Sequence, residues 1–288
     1  HACSDLWACG ATVISAQALV CLPKVSTDIQ EELLAHSLDG IKSVLQSQRA
    51  KLLGGHTLES RKYSQQPITL DIDISLSVNG VVQKGRQIWK KNGVKYGDVI
   101  LVSRSIGSGV LFAAAMRGKV GSKDLDKAII QMNTSQHHLI TSLRNKENQQ
   151  AECIIHAATD ITGFGLLGHL SEMLRSSNIN RLKSNSSLLK VRLDADMIPA
   201  MNGVQRLFSL GFESTLAPQN RKFIRLLEPG FDPLAQVELL FRSRKNYKET
   251  LDLIVDPQTC GPILITCSSH FASDLIAEGN WTRIGTVI

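Results

Sequence analysis

Apolar and polar positions along this chain fall into a succession of strand and helix patterns. Residues 11–22, ATVISAQALVCL, are apolar and partly β-branched, as a buried strand is, and Pro23 ends the run. STDIQEELLAHSLDGIKSVLQSQ then sets Ile29, Leu33, Leu34, Leu38, Ile41 and Leu45 on one helical stripe, with Ser26 or Thr27 as N-cap. AKLLGGHTLES reads as a short strand entering a Gly-Gly turn, and ITLDIDISLSVNG (68–80) alternates like a half-exposed strand. The polar, basic and glycine-rich QKGRQIWKKNGVKYGD marks a boundary near residue 90. Beyond it DVILVSR predicts a strand, SIGSGVLFAAAMRGK a glycine loop entering a helix, and DLDKAIIQMNTSQHHLITSLRN a single further helix. ECIIHAA predicts a short strand, and LLGHLSEMLRSSN a helix with Leu166, Leu167, Leu170, Met173 and Leu174 on one face. LDLIVDPQTCGPILITC reads as two apolar strands around a tight turn. The pattern is that of an α+β protein of two domains, 1–90 and 91–288, without internal repeats.

Composition changes this picture little. At 288 residues, 43% hydrophobic and 20% charged, the chain can bury a sizeable core, mostly aliphatic because aromatics make up only 5%. No apolar run approaches the roughly 20 residues of a membrane span, and no charged-then-apolar leader precedes His1, so a cytoplasmic protein without membrane attachment is expected. Starting at His rather than Met, the chain is expected to begin partway through a longer protein. The net charge of +6 favours anionic ligands, but the basic residues come in short groups without an aromatic platform, which reads as solvated surface rather than a nucleic-acid interface. The six cysteines include no C-x-x-C pair, so buried reduced thiols are expected rather than zinc ligands.

The chemistry concentrates in ATDITGFGLLGH, residues 158–169. Gly163, Gly165 and Gly168 have the G-x-G-x-x-G spacing of dinucleotide sites, but that fingerprint needs an apolar strand feeding its first glycine and an acid about 20 residues later. Here the approach is polar and Asp194 comes late. Asp160, just ahead of the glycines, is the stronger signal. A carboxylate at a strand end can hold Mg²⁺ while a triphosphate occupies the space the glycines leave, or it can cap the following turn. The residues alone leave both readings open.

Several segments together resemble selenophosphate synthetases (selenide, water dikinases) of the aminoimidazole-ribonucleotide-synthetase superfamily. ATDITGFGLLGHLSEML is one of them. HACSDLWACGA (1–11) is similar to that family's Ser-Asp-Leu-x-Ala-Met-Gly, LLGGHTLE (52–59) to its Gly-Gly-His-Ser turn, SRSIGSGVL (103–111) to its Lys-Pro-Leu-Gly-Thr-Gly loop, and DPQTCGPILI (256–265) to its Asp-Pro-Gln-Thr-Ser-Gly-Gly. The resemblance implies the superfamily's two-domain fold with its first domain incomplete, and an enzyme making selenophosphate, AMP and phosphate from selenide and ATP. It implies that Asp5 binds metal and nucleotide, that Asp160 binds Mg²⁺, and that Gly55, His56 and Thr57 contact nucleotide from the partner subunit of a homodimer. Without it, Asp5 reads as a helix cap and His56 as a hydrogen-bonded turn residue. Departures are Cys260 for Ser, Pro262 for Gly, Arg104 for Lys, Ser105 for Pro and His1 for Asn. The family's reactive Cys or selenocysteine, a nearby Lys and further aspartates belong ahead of the segment matching His1, so no catalytic nucleophile is assigned here and the chain alone is expected to be inactive. The alternatives are another ATP-dependent enzyme of the superfamily, or a non-catalytic nucleotide-binding dimerisation module.

Overall fold

The computed structural model describes residues 1–60, 71–149, 153–242 and 246–288. They form two compact units, residues 10–86 with Ala2, and residues 1, 3–9 and 87–288. A short helix, α1 (Ser4–Ala8), precedes strand β1 (Thr12–Leu22), helix α2 (Thr27–Ser47) and strands β2 (Lys51–Glu59) and β3 (Asp73–Val81). Helix α1 belongs to the larger unit, and the other four elements build the smaller one.

In the smaller unit the strand order is β2-β1-β3, with β2 parallel and β3 antiparallel to β1. Ala18, Val20 and Leu22 alternate along β1 onto one face, where Leu33, Leu34 and Ile41 of α2 cover them. Ile14, Leu19, Leu53, Leu58 and Ile74 remain 41–63% exposed. The predicted Gly-Gly turn is absent, because Gly54 and Gly55 lie within β2. Gly54, at φ 147°, sits at a register shift opposite Ala16 and Gln17. At Gly55 a β-carbon would stand 1.8 Å from the Ala18 carbonyl oxygen. Glycine here serves a bulged strand and a close approach of two backbones rather than a reversal. Residues 68–70 of the predicted third strand lie outside the described residues.

The larger unit continues with β4 (Val99–Val102), α3 (Ser108–Ala115), α4 (Ser122–Asn133), α5 (His137–Asn148), β5 (Ile155–Asp160), α6 (Gly165–Lys183) and β6 (Val191–Asp194). Then follow α7 (Val204–Ser209), α8 (Ala217–Asn220), β7 (Val237–Leu240), α9 (Tyr247–Val255), β8 (Ile263–Cys267), α10 (Ser269–Ala277) and β9 (Thr282–Val287). The sheet order is β5-β8-β4-β9-β6-β7, antiparallel except between β6 and β7. Ile100, Val102, Leu264 and Ile284 of the sheet share one core with Leu111 of α3, Leu170 and Met173 of α6, Leu207 of α7 and Ile254 of α9. Helix α1 packs on β5 and β8, and α10 on β4 and β9. Among the described residues no helix is long and apolar enough to cross a membrane.

Two predicted elements of the larger unit also differ. The single helix expected over 124–145 is broken between α4 and α5, where Gln136 turns inward to 2% exposure and its amide donates to the Gly261 carbonyl (3.0 Å). Arg104 donates to the Gln131 and Thr134 carbonyls at the end of α4 (2.8 and 2.9 Å), which closes that helix. The first strand expected in LDLIVDPQTCGPILITC is instead the end of α9, since a short apolar run fits a buried helix as well as a buried strand.

Gly55→Ala should destabilise the protein by about 3 kcal/mol or more, because two backbones would have to part. Gly40→Ala, in α2 with nothing within 4 Å of its β-carbon position, should stabilise it by roughly 0.5–1 kcal/mol. Urea unfolding of the two variants checks the contrast.

Candidate functional site

Asp160 is the last residue of β5 and only 6% exposed. Helix α1 lies against this strand, and the Ser4 hydroxyl donates to Asp160 Oδ2 at 2.5 Å. Asp5 follows Ser4 and is exposed. Burial holds its carboxyl above the usual carboxylate range, and the neighbouring Asp160 charge adds to this, while Lys91 and His169 pull the other way. The Cys9 thiol is likewise pushed up by burial and by both aspartates. Two residues far apart in sequence thus form one locally negative site.

A line of polar side chains borders it. Lys91 Nζ donates to Glu172 Oε2 (2.8 Å), and the same oxygen lies 3.5 Å from His169 Nδ1. That contact is an ion-pair approach rather than a well-formed hydrogen bond, and among the described residues Nδ1 has no hydrogen-bond partner. His169 Nε2 meets Thr162 Oγ1 at 3.2 Å. Burial lowers the His169 pKa against the raising influence of Glu172 and Asp160.

The loop after Asp160 is fixed from DPQTCG. The Ile161 N–H donates to the Pro262 carbonyl and the Gln258 N–H to the Thr162 carbonyl, both at 2.9 Å. Gln258 Oε1 accepts from the Gly107 and Ser108 N–H groups (2.8 and 3.1 Å) and from the Ser108 hydroxyl (3.2 Å). Its Nε2 donates to the Asp256 carbonyl (2.9 Å) and Oδ2 (3.0 Å). Asp256 is fully buried, and burial raises its carboxyl to about 7. The Val110 amide, the Gln258 side chain, the Gly109 amide and the Ser214 hydroxyl oppose this, and among the described residues Asp256 Oδ1 makes no well-formed hydrogen bond.

The departures noted in the sequence are accommodated here. Pro262 contributes a carbonyl. Cys260 takes a left-handed φ of 51°, and its N–H points at His1 Nδ1 (3.4 Å). Arg104, lowered to about 10 by burial, also reaches the Cys260 carbonyl (3.5 Å), and Ser105 offers its carbonyl to Gln131 Nε2 (2.9 Å).

Asp5 and Asp160 therefore come together, within the larger unit. Gly55, His56 and Thr57 lie in the smaller unit on β2, opposite Ala18, Leu19 and Val20. Gly55 and His56 line an open hollow of about 520 Å³ with Gln17, Leu19, Ser75 and Ser77. Sequence reasoning left Ser4, Lys91, Thr162 and Glu172 without roles. Ser4 adjoins Asp5, but nothing in the sequence signals that its hydroxyl faces a residue 156 positions away.

Residues 1–82 match the family model described as AIR synthase related protein, N-terminal domain, and residues 95–288 match that of its C-terminal domain. A selenide, water dikinase of Caldanaerobacter subterraneus subsp. tengcongensis is 29% identical over 97% of this chain and 69% of its own length. Among solved structures, a thiamine-monophosphate kinase from Stenotrophomonas maltophilia superposes with a TM-score of 0.62 at 20% identity, covering 99% of this chain and 72% of that one. The hydrogenase maturation protein HypE in complex with ATP superposes with 0.61 at 15% identity, covering 98% and 67%. At these identities the solved structures show the shared α+β fold.

The raised pKa of Asp256 fixes the sign of a pH effect. Between the unfolded value near 3.8 and the folded value of about 7 the native state binds more protons. Stability contributed by the neutral carboxyl is therefore complete at low pH and is lost as pH rises through 7. The cost above pH 7 is on the order of 4 kcal/mol. Asp256→Asn should flatten this descent in chemical-denaturation midpoints measured from pH 4.5 to 8.

Proposed function

The chain belongs to the AIR synthase related protein family, and on that footing we propose that it serves the ATP-dependent phosphorylation of selenide to selenophosphate. The named relative supports the substrate. The observation that carries the site is the Ser4–Asp160 hydrogen bond, which sets Asp160 beside Asp5. In the reaction two phosphoryl groups leave ATP, one for selenium and one for water, which gives selenophosphate, phosphate and AMP. No single side chain here needs to act as nucleophile, because transfer of this kind rests on positioning and charge neutralisation.

The residues fit Mg²⁺. The Asp160 charge adds to the effect of burial in raising the proton affinity of Asp5, a conflict a divalent cation relieves, and Mg²⁺ is commonly held by one or two carboxylates plus phosphates and water. Asp5 and Asp160 would hold it. When bound, it screens the charge of the triphosphate. Ser4 occupies one lone pair of Asp160 and fixes the carboxylate's direction. Lys91, tied to Glu172, stands on the border of the site as a counter-charge. Gly55, His56 and Thr57 are proposed to contact nucleotide bound mainly by a second copy of the chain, in a cytoplasmic homodimer.

Asp160→Asn is expected to lower selenide-dependent AMP formation by about 10³-fold or more, in the full polypeptide that carries these residues, with little change in melting temperature. Undiminished AMP formation would remove Asp160 from the metal site. Use of ATP without any requirement for selenide would favour another reaction of the same superfamily. The homodimer is expected to use the exposed apolar positions of the smaller unit's sheet. Leu19→Lys with Ile74→Lys should then halve the mass seen by sedimentation equilibrium.

A further inference from the structure

The six-stranded sheet of the larger unit is covered unevenly. On one face, the core helices pack along its length. On the other, α1 and α10 pack against β5, β8, β4 and β9. Over β9, β6 and β7 the alternation of each strand shows what that second face carries. Val191 and Leu193 of β6 enter the core while Arg192 and Asp194 point away, and Val237 of β7 enters while Leu240 is 51% exposed. On β9, Ile284 is in the core and Arg283 is exposed.

The outward side chains surround a hollow of about 430 Å³, a size ordinary for small ligands. Gly285 forms part of its floor. A β-carbon there would stand 2.4 Å from the Arg192 carbonyl oxygen, so strand packing requires the glycine and a recess is left between the arginines. Among the described residues Arg192, Arg242 and Arg283 line the hollow with one carboxylate, Asp194, and the nearby Asp196 accepts from the Arg242 N–H (2.8 Å). Arg192 is engaged by Glu238, directly across the β6–β7 ladder (3.0 Å), and Arg242 reaches Asp194 at 3.3 Å. Arg283 has no ion pair or side-chain hydrogen bond among the described residues. Met197 and Leu240, 42% and 51% exposed, give the hollow an apolar wall.

Guanidinium forks match phosphate oxygens in geometry and charge. An arginine unpaired among the described residues, next to two partly engaged ones and beside exposed apolar side chains, is a poor arrangement for stability. It is a good one for a ligand with an anionic end and an apolar body. We propose that this hollow binds a phosphate group, carried by a small organic monoester whose body lies on Met197 and Leu240. The site is separate from the aspartate pair. β5, which carries Asp160, and β9 are three steps apart in the sheet order, or roughly 14 Å at the usual strand spacing.

The test is calorimetric titration of the 288-residue chain at fixed ionic strength without Mg²⁺, using phenyl phosphate and, separately, inorganic phosphate. Phenyl phosphate should saturate at millimolar concentration or below. Arg283→Ala should weaken both ligands about tenfold or more. It removes an exposed, unpaired side chain and leaves no buried group without a partner. Leu240→Ala should weaken phenyl phosphate alone. If inorganic phosphate binds equally well and Leu240→Ala changes neither ligand, the phosphate site stands and the organic body is wrong. Absence of saturation with either ligand overturns the proposal, as does binding indifferent to both Arg283→Ala and Arg242→Ala. Asp160→Asn should leave these titrations unchanged. Binding lost in that variant would place the phosphate at the aspartate pair and overturn this site, while the reading of the aspartates would survive.

Discussion

The side chain of Gln258 holds together the parts of the larger unit that matter most for chemistry. Its carbonyl oxygen takes three donors from Gly107 and Ser108, and its backbone N–H fixes the loop that follows Asp160. Ser108 completes the clasp by accepting from the Thr259 N–H at 2.9 Å. Helix α3 begins here, and its first N–H groups would otherwise lack acceptors. One neutral amide thus caps a helix, closes the turn after α9 and sets the path of the loop beside the aspartates. Glutamine suits the place because it offers an acceptor and a donor pair together. A carboxylate would supply only the acceptor and would add a second charge beside Asp256.

Charge is distributed unequally around this clasp. Asp256, buried beneath it, is raised toward neutrality and acts as a structural group. Asp5 and Asp160 lie where α1 meets the end of β5, one exposed and one held by a serine hydroxyl, and their proximity costs free energy in the absence of a cation. Lys91 offsets part of that cost but is itself held by Glu172, and burial lowers the pKa of His169. The two kinds of carboxylate follow from their surroundings, deep burial under the Gln258 clasp for the first, and for the second the meeting of α1 with the end of β5 near Lys91.

Local patterning made much of this legible. The strand at β1, the helix at α2 and the apolar face of α6 were legible from local pattern, although β1, read as buried, alternates and leaves Ile14 and Leu19 exposed. What escaped was decided at long range. The break between α4 and α5 follows from Gln136 reaching Gly261, and no propensity within 124–145 announces it. Leu251–Val255 is helical because residues upstream continue into it, a choice the apolar run does not encode. Gly54 and Gly55 looked like a turn because glycine pairs often are one, yet the requirement was set by Ala18 of a neighbouring strand. Asp160 was singled out by its place before the glycines and Asp5 through resemblance, while Ser4, Lys91 and Glu172 were not, because their importance is a matter of who faces them.

The three glycines between Asp160 and His169 show how one spacing can arise from unrelated constraints. Gly163 has open space where a β-carbon would be. Gly165 needs a left-handed φ of 69°, and a β-carbon on it would lie 2.8 Å from the Val255 backbone. Gly168 is hemmed in by side chains, with Phe164 at 2.6 Å and Phe223 at 3.0 Å from its β-carbon position. In a dinucleotide fold the same spacing serves a turn, a pyrophosphate and a helix–strand contact. Here two of the glycines let α6 start against α9 and the Phe164–Phe223 pair, and the first meets no such packing. With two of the glycines accounted for by packing, the loop's chemistry has to be read from the carboxylates and not from the glycines.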